Sequence, residues 1–297
     1  MQHILIIGSA NADYVIHADR LPKLGETLPG HDFSVNIGGK GLNQAIAVQK
    51  LGGKAAFLGA VGHDMNGALL LKAMADQQVS FHGICSDKET TGIALITVVK
   101  GDNCILLHPG ANGCMTKQVI REKKELIESA AAVVFQLEIP MDAVAEGIRI
   151  AHNAHVPVYL NPAPAHDIPD ELYPLTDFLI PNEHEAAALS GIEAETEEGC
   201  RKNIRFFREK GVKNVIITRG EMGCAYHEGD IIHFCPAVKT TPVDTTSAGD
   251  TFIGAFCVQV LAGKSIHEAV RYACRAAAIT VSRPGAAASI PTANEIQ

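Results

Sequence analysis

The sequence predicts an α/β protein built on a mostly parallel sheet. Short apolar runs rich in Val and Ile alternate with longer stretches of helical periodicity, the pattern of strand–helix units joined by crossovers. No internal repeat, low-complexity stretch or charge block interrupts that alternation. Strands are expected at Ile4–Ile7, Ala55–Leu58, Ala132–Phe135, Val156–Leu160, Phe178–Ile180 and Val215–Thr218. Each is a short, almost wholly apolar run, as befits a strand buried on both faces. Helices are expected between them at about Leu42–Leu51, Gly67–Asp76, Met141–Asn153, Glu183–Leu189, Glu197–Lys210 and Thr251–Leu261. Two segments break the rhythm. Tyr14–Asn36 holds no convincing helix, and Thr91–Leu107 reads as extended chain through Thr91-Gly92-Ile93-Ala94-Leu95-Ile96-Thr97 and again around Ile105. Both are expected as strands outside the main sheet, joined as one small antiparallel sheet.

The composition removes several function classes. At 297 residues the chain makes one large or two small domains, enough for a substantial core. Its formal net charge of −8 argues against nucleic acid, whose backbone is bound through Lys and Arg. With five Tyr, ten Phe and no Trp, it also lacks the aromatic platforms that hold single strands or sugar rings. A carbohydrate would have to be held by polar groups. No apolar run approaches the roughly 18 residues of a membrane span, and Ile4–Ile7 lacks the basic flank and length of a signal peptide. A cytoplasmic location is expected.

Eight scattered cysteines with no Cys-x-x-Cys pair indicate neither a disulfide framework nor a zinc knuckle. Cys224, His227, His233 and Cys235 mimic metal-ligand spacing. The segment reads instead as a hairpin turning at Glu228-Gly229-Asp230, which puts Cys224 and His227 on opposite faces of one strand.

In open α/β sheets, ligands collect at the carboxyl ends of the parallel strands. There the chain carries Asn11-Ala12-Asp13, Gln136-Leu137-Glu138, Asn161-Pro162-Ala163-Pro164-Ala165, Asn182-Glu183-His184-Glu185 and Thr218-Arg219-Gly220-Glu221-Met222-Gly223. Any one of these is more often a turn or a cap than a contact; five on one edge point to a shared polar cleft. The sharpest local signal is Asp244-Thr245-Thr246-Ser247-Ala248-Gly249-Asp250-Thr251-Phe252, leading into a helix without charge through Gly263. Such a helix is buried, so a carboxylate at its entry is not there for solubility. Small residues beside it let a ligand approach free N–H groups at the helix start, the arrangement that binds phosphate. A Walker A loop is excluded, because the Gly that Gly263-Lys264-Ser265 would require falls on Val258. The second signal is Gly38-Gly39-Lys40-Gly41-Leu42-Asn43, a glycine-rich turn opening a helix.

These motifs together resemble the ribokinase-like (PfkB) carbohydrate kinases, over essentially the whole chain. The resemblance implies a three-layer α/β/α sandwich, as a single domain spanning residues 1–297, with a discontinuous β lid formed by about 14–36 and 91–107 that also makes a homodimer interface. It implies a sugar held by Asn11, Asp13, Gly39, Lys40, Asn43 and Glu138. ATP would lie along Asn182, Glu185, Thr218, Arg219, Gly220, Glu221, Gly223 and Gly249, with Asn182 and Glu185 ordering Mg2+ and phosphate. A monovalent-cation (K+) site maps onto Asp244, Thr246, Thr280, Arg283, Gly285 and Ser289. The Asn-Ala-Asp start and Gln-Leu-Glu imply D-ribose as the sugar. Leu42, bulkier than the family's usual Ala, either packs beneath its helix or narrows the sugar pocket. Cys274 stands where a His or Asn near the nucleotide is usual.

A sugar hydroxyl is too weak an acid to attack phosphorus unaided, so a carboxylate must take its proton; Asp250 is the candidate. The dipole at its helix start would keep it ionised and weakly basic. The N–H groups around Ala248, Gly249 and Asp250 would stabilise charge on the transferred phosphoryl group. Kinases of the same family acting on deoxyribose, another sugar or a nucleoside remain open, as does a non-catalytic sugar or nucleotide sensor.

Overall fold

The protein is described by a computed structural model that covers residues 3–100 and 102–296. In chain order the strands are β1 (Ile4–Ile7), β2 (Asn11–His17), β3 (His31–Gly38), β4 (Ala55–Leu58), β5 (Ala60–Gly62), β6 (Ser80–Phe81), β7 (Ile84–Ser86), β8 (Gly92–Val99), β9 (Asp102–His108), β10 (Ala132–Phe135), β11 (Val158–Leu160), β12 (Phe178–Leu179), β13 (Asn214–Thr218), β14 (Cys224–Glu228) and β15 (Ile231–Cys235). The α-helices are α1 (Lys40–Lys50), α2 (Met65–Asp76), α3 (Lys117–Glu122), α4 (Lys124–Glu128), α5 (Met141–Asn153), α6 (Glu183–Ser190), α7 (Glu197–Glu209), α8 (Ala248–Leu261) and α9 (Ile266–Val281).

Nine strands form the main sheet, in the order β15-β14-β13-β12-β11-β10-β1-β4-β6. Every pairing from β6 to β13 is parallel, and only the β14–β15 hairpin adds antiparallel strands at one edge. The side chains of β1 show how the layers arise. Ile4 and Ile6 enter a core with Ile46 of α1, Phe256 of α8 and Ala273 of α9, while Leu5 and Ile7 enter a second core with Ile148 of α5 and Phe207 of α7. Strand alternation thus buries both faces, and the result is the three-layer α/β/α sandwich.

The two irregular segments lie in a separate four-stranded sheet, order β3-β2-β8-β9. It is mixed rather than antiparallel: β2 pairs antiparallel with β3, but β2 and β8 run parallel, with Asn11 beside Gly92. The chain between β2 and β8 passes through the main sheet and back, which allows a parallel neighbour where a hairpin could not.

Helix starts differ from expectation in an informative way. Helix α8 begins at Ala248 and α1 at Lys40, both within the small-residue turns that sequence preference reads as loop. Helix α9 was not expected at all, although Ser265 and Glu268 form a capping box that announces it. Leu42 is fully buried in the core and does not line the cavity, so it packs beneath its helix. The hairpin turns at Glu228–Asp230 as read, and His227 Nε2 accepts from the Val215 amide at 3.3 Å.

Candidate active site

A cavity of about 870 Å³ opens between the carboxyl ends of the parallel strands and the small sheet. Its walls come from the carboxyl ends of β10, β11, β12 and β13 (Glu138, Asn161, Asn182, Thr218), from β2, β8 and β9 of the small sheet (Asn11, Ile96, Ile105), and from the start of α8 (Ser247, Gly249, Asp250). Of the residues expected at the sugar, Asn11, Asp13, Gly39, Lys40, Asn43 and Glu138 all line it.

Asp250 is buried at the first turn of α8 and held from both sides. Its Oδ2 accepts from Asn43 Nδ2 at 3.2 Å and its Oδ1 from Gln44 Nε2 at 2.9 Å. Gln44 is fixed in turn: Gln136 Nε2 donates to its Oε1 at 2.5 Å, and its own amide also reaches Asn161 Oδ1 at 3.2 Å. This buried chain of amides sets the rotamer of the carboxylate. Burial pushes Asp250 above the usual carboxylate range, against the pull of Lys40, Gln44 and Asn43. The helix-dipole expectation of a weak base is therefore corrected, because desolvation of the carboxylate outweighs the groups that favour its charge.

Lys40 sits at the start of α1, which Gly39 opens at φ +87°. A Cβ on Gly39 would stand 2.7 Å from Ala10 Cα, so both the turn and the close approach require glycine. Burial pulls Lys40 down, but Asp250, Glu138 and Glu185 outweigh it and the net shift is upward. The ammonium is held charged. Glu138 accepts from the Lys40 amide at 3.1 Å and from the Ser9 hydroxyl. Asp13, whose carboxylate lies over Gly38 of β3, is raised to about 7 by burial and by the charges of Glu138 and Asp250. Asn11 Oδ1 accepts from Asn112 Nδ2 at 2.8 Å.

The nucleotide expectations divide. Asn182, Glu185, Thr218 and Gly249 line the cavity. Asn182 and Glu185 also form the capping box of α6, with Oδ1 accepting from the Glu185 amide at 2.7 Å and Oε2 from the Asn182 amide at 2.9 Å. That leaves Asn182 Nδ2 and Glu185 Oε1 with no partner among the described residues. Burial raises Glu185, opposed by the Asn182 amide and Lys40. The turn holding Gly220, Glu221 and Gly223 flanks the cavity without lining it. Arg219 turns away: its guanidinium donates to Glu195 O at 2.9 Å and lies over the Phe234 ring. Cys274 is likewise outside the cavity, packed against Cys224.

At the start of α8, Ser247 takes the left-handed conformation, and no side chain caps the helix. The Ala248 amide donates to Thr245 O at 3.3 Å, a turn bond. Behind this turn, Asp244 Oδ1 accepts from the Thr246 amide at 2.9 Å and Oδ2 from the Gly285 amide at 3.0 Å, so two loops converge on one carboxylate. Of the other residues expected there, Thr280 bonds Thr251 Oγ1 at 3.0 Å, Ser289 bonds Ala286 O at 2.7 Å, and Arg283 points outward to Glu295 at 2.6 Å.

Sequence reasoning missed Gln44 and Asn112. Gln44 follows Asn43 directly, and a second amide next to the glycine-rich turn was the signal available for it. Asn112 lies in a short 3-10 turn with no motif to mark it.

Such a site can take a proton from a hydroxyl and stabilise an anion beside it, the two needs of phosphoryl transfer to an alcohol. The model of the pfkB family carbohydrate kinases matches residues 1–293. The chain is 39% identical to a ribokinase of Haemophilus influenzae over 294 residues, 98% of this chain and 96% of the relative. It is 32% identical to a deoxyribokinase of Salmonella typhi, covering 97% of this chain and 95% of that one. The solved structure of Arabidopsis thaliana ribokinase complexed with ribose and ATP superposes with a TM-score of 0.94 at 33% identity, covering 99% of this chain and 97% of that one. The chain belongs to the pfkB family of carbohydrate kinases.

Proposed function

We propose that this chain phosphorylates D-ribose with ATP, transferring the γ-phosphoryl group to the primary hydroxyl to give D-ribose 5-phosphate and ADP. The observation that carries this reading is the position of Asp250, buried between the residues expected at the sugar and the uncapped start of α8. Asn11, Asp13, Asn43 and Glu138 hold the sugar hydroxyls, and Lys40 adds a cation facing them. Asn43 Oδ1 is buried without a partner among the described residues, an acceptor that a substrate hydroxyl would satisfy. Asp250 takes the proton of the attacking hydroxyl as the O–P bond forms and the bond to ADP breaks. The amides of Gly249 and Asp250 face the transferred phosphoryl oxygens. Glu185 would hold Mg2+ through its free Oε1, Asn182 Nδ2 would donate to a phosphate oxygen, and the ion would supply charge neutralisation at the terminal phosphates. Asp244 and the carbonyls of its two loops would hold K+, with Arg283 contributing through its backbone. The small sheet serves as a lid over the sugar. On the face turned away from the cavity, its exposed Phe33, Val35, Leu95 and Leu106 suit a homodimer interface. No described helix is long and apolar enough to cross a membrane, and eight free cysteines suit a reducing compartment, the cytoplasm.

A panel of sugars and nucleosides assayed for ATP consumption, with potassium included and omitted, tests the reading. D-Ribose should give the highest kcat/KM. A site that hydrogen-bonds a hydroxyl discriminates strongly against an analogue lacking it, so equal kcat/KM for ribose and deoxyribose would contradict the ribose assignment. Ribose binding with no ATP consumption would favour a sensor instead.

A further inference from the structure

Away from the cavity, three thiols meet. Cys224 opens β14 immediately after the Thr218–Gly223 turn, Cys235 closes β15 directly opposite it in register, and Cys274 projects from α9. Their sulfur atoms all lie within 4.8 Å of one another, and Cys224 Sγ stands 3.9 Å from Cys274 Sγ. Metal–thiolate bonds of about 2.3 Å place the sulfurs around one ion roughly 3.7–4.0 Å apart. One pair therefore already has ligand spacing, and the third sulfur needs a shift of no more than about 1 Å to join it.

The surroundings offer the three sulfurs few competing partners. The carbonyl of Pro236, 3.8 Å from Cys235 Sγ, is only a long and weak alternative partner. No carboxylate or imidazole joins the three sulfurs among the described residues, so the donor set is wholly soft. Soft thiolates select zinc(II) and copper(I) over magnesium and calcium. Cys235 is 9% and Cys274 8% exposed, so the cluster lies just beneath the surface rather than at the centre of the core.

We propose that Cys224, Cys235 and Cys274 form a three-thiolate site for a thiophilic d10 cation, zinc(II) or copper(I). The site is distinct from the magnesium and potassium positions and uses residues none of which lines the cavity. Each thiol that becomes a ligand releases its proton to solvent, so affinity rises with pH. The site stands one residue from the turn that flanks the cavity. Gly223 is packed against the end of β15, where an added Cβ would meet the Pro236 carbonyl carbon at 2.7 Å.

The test uses the reduced, chelator-treated full chain titrated with Cd2+, with thiolate-to-metal charge-transfer absorption and the thermal midpoint as readouts. The expected result is a tight one-equivalent step that raises the midpoint and is displaced by zinc(II) or copper(I). Cys274→Ala and Cys224→Ala should each lose this step, weakening binding by more than the roughly 10–100-fold that outer-shell partners command. The triple variant Cys85→Ser/Cys104→Ser/Cys114→Ser, which removes the more exposed thiols, should retain it. Absence of a one-equivalent step in the unmodified chain overturns the proposal, whatever the variants do. So does its persistence in Cys274→Ala, or failure of both zinc(II) and copper(I) to displace Cd2+.

Discussion

Helices α8 and α9 follow one another in the chain and pack together, yet they begin in opposite ways. At α9, Ser265 and Glu268 satisfy the first amides with a reciprocal capping box. At α8, Ser247 adopts φ +62° and caps nothing, its hydroxyl buried without a partner among the described residues. A cap typically stabilises by about 1 kcal/mol, so a buried helix that forgoes one gives up stability at that point. The amides left free face the cavity, beside a carboxylate held by two amide side chains. The contrast separates a helix start that serves the fold from one that serves a ligand.

Breaking the chemical half of the contrast should have the largest effect. Asp250→Asn keeps the shape of the side chain and removes its ability to take a proton. Steady-state kinetics should show kcat lower by roughly 10²–10⁴-fold, with ribose affinity by calorimetry largely kept. Turnover comparable with the unaltered chain would remove Asp250 as the base.

The sugar half can be read through pH. Asp13 is raised from 3.8 to about 7 in the folded protein. The folded state therefore holds a proton that the unfolded chain releases, and the stability tied to that proton is lost as pH rises from 3.8 to about 7. Asp13→Asn should match the unaltered chain in thermal midpoint at the acid end of this window and exceed it above about 7, while sugar KM rises. Equal midpoints at all pH values would show that Asp13 is not held protonated by its surroundings.

The smallest effect belongs to the structural half. Ser265→Ala removes the α9 cap and should cost about 1 kcal/mol in denaturant unfolding, with kcat and KM unchanged. A loss of activity without loss of stability would erase the distinction between the two helix starts.

Much of the main sheet was legible because its strands are short, wholly apolar runs: β1, β4 and β10 carry the expected bounds. What was hidden has physical causes. Strand β6 is two residues long and pairs only because the longer β4 presents an edge. The parallel β2–β8 contact depends on chain that travels away and returns, which no local pattern records. In the site, Asp250, Asn43 and the glycine-rich turn stood out because they sit at helix starts with unusual composition. Gln44 did not, because a glutamine within a helix looks ordinary until the carboxylate it holds, 206 residues away, is in view. Arg219 misled for the same reason: its position beside the turn was readable, but the direction of its side chain toward Glu195 was not.

Gly249→Ala tests the central claim most directly. The position lies within α8, and an added Cβ there meets nothing within 4 Å, so the fold gives no reason for glycine. Ala is the better helix former by about 1 kcal/mol. If the α8 start exists to let an anionic ligand approach its amides, the variant should keep or raise its thermal midpoint while ribose phosphorylation falls by roughly 10²–10³-fold. Full activity in the stable variant would contradict the account.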